Sequence, residues 1–168
     1  MAAKASSYSN AWKALAVTRI TLGFVFLWAF LDKTFGLGFA TVAEKAWVAG
    51  GSPTTGFLKF GVNAHSPLRD FFTGLAGQAW VDWLFMLGLL GIGVALILGV
   101  GLRIAAVAGT TLLFMMWAAE VPLENNPLID DHIVYTLILW VFAFGRRDWS
   151  LIGWWMKQGN VKKQSWLW

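Results

Sequence analysis

The sequence contains no cysteine, and this absence excludes several kinds of chemistry. Disulfides, thiolate nucleophiles, persulfide intermediates, iron–sulfur ligation and covalent c-type haem all require cysteine sulfur. Charged side chains are also scarce, at 13% of the 168 residues. So few charges cannot cover the surface of a soluble globule of this size, and the composition therefore excludes the soluble class.

The chain is instead rich in apolar and aromatic residues. Hydrophobic residues make up 58% of the sequence and 12 residues are tryptophan, and the mean hydropathy is +0.61. Indole rings, which are apolar but carry one polar N–H group, favour the headgroup level on both sides of a bilayer. The composition therefore predicts an integral membrane protein in contact with the lipid bilayer.

Four apolar stretches predict a single all-α domain of residues 1–168, an integral membrane four-helix bundle. The predicted spans cover residues 12–31, 83–102, 104–121 and 130–145. The last uncharged run, residues 133–145, would measure only about 20 Å at ~1.5 Å per residue, against a hydrocarbon core ~30 Å thick. We therefore expect either that polar groups at its start reach into the bilayer or that the bilayer thins around it.

The segments outside the spans have their own patterns. Residues 32–79 form a long loop in which Gly and Pro alternate with short amphipathic pieces, and this pattern predicts one or two short interfacial helices. Residues 146–168 form a tail with Trp and Lys, typical of an interfacial anchor on the membrane surface. Small residues predict close helix packing in the second and third spans: Gly88, Gly91, Gly93, Gly99 and Gly109.

The distribution of Lys and Arg predicts the orientation. They are more numerous in the N-terminal segment, the second connection and the tail than in the long loop, and the third connection has none. The positive-inside rule then places both termini in the cytoplasm and predicts a multi-pass protein of a bacterial plasma (inner) membrane. The N-terminus lacks a basic start with a cleavage site, so we expect the first span to remain as an anchor. The cations do not form a stripe, and we expect no nucleic-acid partner.

One cation lies inside a predicted span. Arg19 is about two turns into the first span. Two interpretations remain open for it: an anchor that snorkels to the cytoplasmic surface, or the partner of a backbone carbonyl or acid in the core.

The connection between the third and fourth spans is the candidate site. It holds five acidic or imidazole side chains without one Lys or Arg: Glu120, Glu124, Asp130, Asp131 and His132. Short side chains cannot snorkel as far as arginine, so we expect several of these groups to face the interior or a wet cavity. The alternative is that a thinned bilayer leaves them solvated at the surface.

Three runs resemble a known family: GVALILGVGLRIAAVAGTTL at residues 93–112, NPLIDDHIVYTLIL at 126–139 and GGSPTTGFLKF at 50–60. They are similar to the DoxX/DoxD family of small four-helix bacterial membrane proteins, and the third points to the DoxD branch. DoxD-like proteins are the large subunit of a thiosulfate:quinone oxidoreductase that works with a DoxA-like subunit. The resemblance covers residues 19–155 and contains nothing like the DoxA portion. It implies a four-helix bundle with the acidic connection as its site, and assigns no role to any single residue.

Candidate roles follow from the chemistry of that reaction. Quinone reduction needs donors to two carbonyl oxygens and a route for protons. We expect the donors to be His132 and Tyr135, which are three residues apart and so share a helix face, and the relay to be Glu120 or Asp131. Trp83 is a candidate for stacking on the ring. Candidates for binding the thiosulfate anion are Lys33, Lys59 and Arg69.

Structural alternatives stay open for each of these residues. The histidine and acids are also suited to capping a helix, and the aromatic residues to an interfacial belt. No pattern indicates bound flavin, haem or metal, because the two histidines, His65 and His132, lie on unlike elements. Quinone is therefore expected only as a substrate.

Two function classes remain, and whether the chain is itself an enzyme stays open. The first is a subunit of a quinone-linked oxidoreductase, acting with a DoxA-like or other redox partner. The second is a non-catalytic membrane scaffold that docks redox or stress enzymes. A solute carrier is disfavoured because the spans lack central ionisable groups, apart from Arg19, and Pro-broken helices. A homo-oligomer is compatible with either class.

Overall fold

The structure is a computed structural model that describes residues 2–167, and the side-chain environments of residues 9–164, 166 and 167. The regular secondary structure of the described residues is helical, and these residues contain no β-strand. Three of the seven α-helices are short. The helices are α1 Ala2–Phe35, α2 Arg69–Gly74, α3 Ala79–Leu98, α4 Leu102–Glu120, α5 Asp131–Phe144, α6 Ile152–Trp155 and α7 Gly159–Lys162.

Three helices are long and apolar enough to cross a membrane. They are Ser9–Phe35 within α1, Ala79–Leu98 and Leu102–Glu120. The fourth apolar helix, α5, has only 14 residues and measures about 21 Å at ~1.5 Å per residue. The helices thus support a multi-pass membrane protein, and a fourth crossing by α5 stays a prediction.

The second span begins and ends earlier in the chain than the sequence indicated. Helix α3 ends at Leu98 because Gly99 and Gly101 take left-handed conformations, with φ of +68° and +60°. Only glycine adopts this geometry without strain. A Cβ atom at position 99 would also collide with the guanidinium of Arg19 and the side chain of Ser150. The glycine therefore forms the turn between α3 and α4 rather than a packing surface within the span.

The four apolar helices share one core. Its largest fully buried side chains are Met86, Ile92, Leu96, Leu102 and Leu139. The predicted close packing is confirmed at two glycines. A Cβ at Gly93 would lie 2.8 Å from the backbone nitrogen of Leu27 in α1, and one at Gly109 would collide with the side chain of Leu139 in α5.

The long loop is attached to three helices at one end of the molecule, where α1 and α4 finish and α3 and α5 begin. We call this the acidic end. Its attachments run to Asp32 of α1, to Asp82 of α3 and to the end of α4, where the Asn63 amide donates to the Ala119 carbonyl at 3.0 Å. The loop's helical turns besides α2 are Ala43–Lys45, Trp47–Ala49 and Phe57–Gly61. The loop and the acidic connection therefore lie together.

The opposite end, which we call the arginine end, holds the tail. Arg19 is 3% exposed, and its Nη2 donates to the carbonyl oxygens of Asp148 at 3.2 Å and Trp149 at 2.8 Å. The Leu151 amide donates to the Leu98 carbonyl at 2.8 Å. Of the two interpretations of Arg19, this confirms the backbone-carbonyl partner. The tail itself consists of short helices and turns rather than one continuous helix.

Candidate functional site

The candidate site is built where α4 ends and α5 begins. Helix α5 starts behind Asp130, whose extended backbone and side-chain Oδ1 form the N-cap by accepting from the Ile133 amide at 3.2 Å. Aspartate is among the preferred residues at this position. The connection itself is held by Trp117, whose Nε1 donates to the Leu128 carbonyl at 3.0 Å. The N-cap thus fixes a carboxylate at the mouth of the α4–α5 hairpin.

The same carboxylate orients His132. Its second oxygen, Oδ2, lies 2.8 Å from His132 Nδ1. The His132 side chain is 11% exposed, so its orientation is set by this contact and by the packing around it. A hydrogen bond from Nδ1–H to the carboxylate leaves Nε2 as the ring atom available to another group.

Glu120 completes the group from the other helix. One ligand atom each from Glu120, Asp130 and His132 lies within 4.8 Å of the others. Glu120 is half-buried as the last residue of α4. Among the ion pairs of the described residues, none joins these three side chains to a Lys or Arg. We call Glu120, Asp130 and His132 the acid–histidine group.

The environment of Asp130 favours its ionised form. Burial acts to raise the pKa of this carboxyl, but the hydrogen bonds from the His132 side chain and the Ile133 amide, together with the charge of His132, lower the pKa below its ordinary value. Hydrogen bonds to a carboxylate stabilise its charged form. Asp130 is therefore a stable acceptor for the histidine.

Two carboxylates and an imidazole are also ligand types for Zn, Mn or Fe. In this geometry both oxygens of Asp130 are engaged, one with the Ile133 amide and one with His132. Each of these oxygens keeps a further lone pair, so Glu120, Asp130 and His132 still offer three ligands, the number that catalytic zinc sites use. The absence of a resident metal stays a prediction.

The predicted catalytic residues do not all lie in the acid–histidine group. Glu120 and His132 come together. Asp131 is less engaged, because its side chain is 68% exposed and its Oδ1 lies 3.6 Å from His132 Nδ1. Tyr135 is half-buried one turn further along α5 and packs against the main core. The sequence placed Asp130 in the candidate site and as a possible acid at a helix N-terminus but gave it no catalytic role, and the N-cap preference for Asp was the signal for its position.

The predicted substrate-binding residues lie on separate elements. Lys33 Nζ is 6.0 Å from the centroid of the Phe85 ring, and Trp83 packs edge-to-face on Trp47 with centroids 4.6 Å apart. Lys59 is exposed within Phe57–Gly61, and Arg69 begins α2. In the described part of the chain, no hydrogen bond or ion pair joins these cations to the acid–histidine group. Their roles stay predictions.

Two buried acids with several hydrogen bonds were not predicted from the sequence. Asp82 is 6% exposed and accepts from Ser52 Oγ at 2.9 Å, from the Thr54 amide at 3.1 Å and from Thr54 Oγ1. Asp32 is 2% exposed and accepts from the amides of Phe39 and Ala40 at 3.2 and 3.0 Å. Both act as acceptors that hold the loop. Their only sequence signal was an acid at a helix end near turn-forming residues.

The acid–histidine group can accept, hold and pass protons, because it combines an imidazole with carboxylates on two helices. No protein-family model, curated protein or solved structure matches this sequence. What these residues can do chemically is therefore the basis for assigning a function.

Proposed function

We propose that this chain is the membrane subunit of a quinone-linked oxidoreductase. In this proposal it is a four-helix bundle of a bacterial plasma membrane, with both termini in the cytoplasm and the acidic end outside. The hydrogen bond between His132 and Asp130, with Glu120 beside it, is the observation that carries the proposal. The resemblance to the DoxX/DoxD family supports it.

The group suits the proton chemistry of quinone reduction. A quinone takes two electrons and two protons to become a quinol, with one proton bound at each carbonyl oxygen. An imidazolium held by Asp130 donates its Nε2–H to one oxygen and keeps the Nδ1–H on the carboxylate. Glu120, on the facing helix, then returns a proton to Nε2. Tyr135, one turn away, is the donor for the second oxygen in this scheme.

In this proposal the electrons come from thiosulfate, which this chain oxidises together with a partner subunit. In the proposed reaction two thiosulfate dianions join through a new S–S bond to form tetrathionate, and the two electrons released reduce one quinone. No persulfide forms on this chain because it lacks cysteine. Lys33, Lys59 and Arg69 are the proposed anion-binding positions, with a DoxA-like subunit as the proposed partner. Trp83 is proposed to stack on the quinone ring.

The decisive experiment compares two histidines. Thiosulfate-dependent reduction of a soluble quinone analogue is measured in mild detergent, with and without membrane extract, for wild type, His132→Ala and His65→Ala. His65 is exposed in the long loop and is the matched control. We expect His132→Ala to lower turnover at least ~100-fold, the usual contribution of a general acid, while His65→Ala retains it. Equal activity in both variants contradicts the proposal.

A membrane scaffold is the second candidate, and one observation favours it. The long loop exposes large apolar side chains, with Phe39 75%, Val48 68% and Phe60 86% exposed. Such a surface is suited to docking a partner protein. A scaffold predicts that wild type co-purifies with no quinone and that Phe60→Ser, rather than His132→Ala, abolishes the function of the complex.

A further inference from the structure

The acid–histidine group brings together, from two helices, three side chains that can each bind a metal ion. Glu120 ends α4, Asp130 is the N-cap of α5, and His132 lies in the first turn of α5. One ligand atom from each lies within 4.8 Å of the others. A tetrahedral zinc ion with bonds of ~2.1 Å keeps its ligand atoms roughly 3.4 Å apart. Small rotations of the side chains therefore bring all three onto one ion.

Hydrogen bonds hold two of these side chains in place before an ion arrives. Asp130 Oδ1 accepts from the Ile133 amide at 3.2 Å, and Asp130 Oδ2 lies 2.8 Å from His132 Nδ1. The Asp130 side chain is 17% exposed and that of His132 is buried more deeply. Little side-chain freedom remains to be lost on binding, so the site is largely preorganised.

The charges around the group favour a cation. Asp131 adds a third carboxylate, with its Oδ1 3.6 Å from His132 Nδ1, and its side chain is 68% exposed to water, from which an ion can enter. In the part of the chain that the structure describes, no Lys or Arg forms an ion pair with Glu120, Asp130 or Asp131. The dipole of α4 favours a cation at its C-terminus and that of α5 disfavours one at its N-terminus. The two dipoles offset each other, and the carboxylates decide.

The ligand types select the ion. A combination of imidazole and carboxylates suits zinc, whereas Mg²⁺ and Ca²⁺ prefer oxygen ligands alone. Three protein ligands leave a position for water, as in open zinc sites and unlike the closed, four-ligand structural sites. An ion bound in this way is exchangeable, and we expect it to be lost during purification.

We propose that the acid–histidine group binds one exchangeable zinc ion through Glu120, Asp130 and His132. Binding itself does not rest on the proposed function, because it needs only the three side chains. Its consequence for turnover does rest on that function. In the quinone reaction the ion would hold the side chains that donate and return the proton, and zinc would therefore act as an inhibitor.

The test is a calorimetric zinc titration of metal-free, tag-free protein in mild detergent at constant pH, with Mg²⁺ as the comparison. We expect one zinc ion per chain and weaker binding of Mg²⁺. Glu120→Gln keeps the size of the side chain but removes its charge, and we expect it to weaken zinc binding at least ~10-fold. Glu124→Gln is the matched control, because Glu124 is exposed in the same connection; it is expected to bind zinc like wild type.

X-ray absorption at the zinc K-edge tests the histidine ligand directly. The wild-type complex is expected to show imidazole scattering, which is lost in His132→Ala and retained in His65→Ala. The proposal is overturned if Glu120→Gln binds zinc like wild type, if imidazole scattering persists in His132→Ala, or if Mg²⁺ displaces zinc at equal concentration. These measurements use neither quinone nor thiosulfate. An absence of turnover therefore contradicts only the proposed function, and a failed titration contradicts only the zinc site.

Discussion

The two ends of the molecule bury charges of opposite sign. The buried acids at one end accept hydrogen bonds from the backbone, whereas the buried arginine at the other end donates hydrogen bonds to it. At the acidic end the carboxylates of Asp32 and Asp82 accept from backbone amides of the long loop. At the arginine end Arg19 donates to backbone carbonyls of the tail. In each case one buried charge on an apolar helix holds the segment that lies beside it.

The two ends differ in the chemistry of their charged groups. A guanidinium stays protonated in proteins, so the charge that Arg19 buries at the arginine end is fixed. The acidic end combines carboxylates with the imidazole of His132, which are side chains that general acid–base chemistry uses. At both ends a buried charge therefore holds a neighbouring segment, and the acidic end also has a carboxylate hydrogen-bonded to an imidazole.

The largest effect is expected from Asp82→Ala. The change leaves Ser52 and Thr54 without their acceptor, and we expect it to lower the free energy of unfolding by about 4 kcal/mol, since hydrogen bonds to a charged group are strong and buried donors are costly to leave unpaired. The measurement is the thermal midpoint in detergent, together with trypsin cleavage after Lys59. Asp70→Ala, at an exposed acid of α2, is the control. A loop that stays protected in Asp82→Ala would contradict the role of this acid.

A smaller loss is expected from Arg19→Met at the other end. The substitution keeps much of the side-chain volume but leaves the carbonyls of Asp148 and Trp149 unpaired, and we expect about 2 kcal/mol of destabilisation. Hydrogen exchange of the Leu151 amide, which binds Leu98, reports whether the tail detaches. Lys13→Met is the matched control, because Lys13 is exposed on the same helix. Unchanged exchange at Leu151 would show that other contacts hold the tail.

The next smaller loss of stability is expected from substitutions of Asp130, and its size depends on pH. Asp130→Ala removes the N-cap and should cost about 1 kcal/mol, whereas Asp130→Asn retains an oxygen that can accept from Ile133. Because the pKa of Asp130 is lowered in the folded state, its ionic contribution is complete above the ordinary carboxyl pKa and is lost as the pH falls through the lowered value.

The free energy of unfolding of wild type and Asp130→Asn, measured at several acidic pH values, therefore separates the contribution of the N-cap hydrogen bond from that of the carboxylate charge. Relative to wild type, Asp130→Asn should lose stability at neutral pH and approach wild-type stability in acid, where Asp130 itself is protonated. A constant difference between the two proteins at every pH would contradict the assignment.

The smallest effect is expected from metal removal. Because no pattern in the sequence indicates a bound metal, we expect chelation with EDTA to change the stability of the purified protein by less than ~0.5 kcal/mol. Elemental analysis is the direct measurement. A stoichiometric transition metal in the wild type, absent from His132→Ala, would show that the acid–histidine group binds metal instead.

The helices were largely predictable, because long uncharged runs have few alternatives to a membrane helix. Residues 83–102 were nonetheless assigned to one span, although α3 ends at Leu98. Hydropathy does not distinguish a glycine that packs within a helix, such as Gly93, from one that ends it. At Gly99 a Cβ would collide with Arg19 and Ser150, which lie far from Gly99 in the sequence, so no local pattern indicates this close approach.

The sequence predicted which segment of the chain contains the candidate site, but it did not predict how the side chains of that site are arranged. A connection of acids and one histidine between apolar runs indicated Glu120 and His132. The choice between Asp130 and Asp131 depended on where α5 begins, and helix starts are uncertain by a residue or two. Asp82 was missed because its donors, Ser52 and Thr54, lie in another segment of the chain.

The attachments of the long loop also set an order for assembly. Its hydrogen bonds to Asp32 link residues 7 and 8 positions apart, those to Asp82 link residues 28 and 30 apart, and the bond from Asn63 to Pro122 links residues 59 apart. Near contacts form at lower entropic cost than distant ones. The loop can therefore dock progressively as synthesis proceeds, first on α1, then on α3, and finally on the end of α4 that carries Glu120.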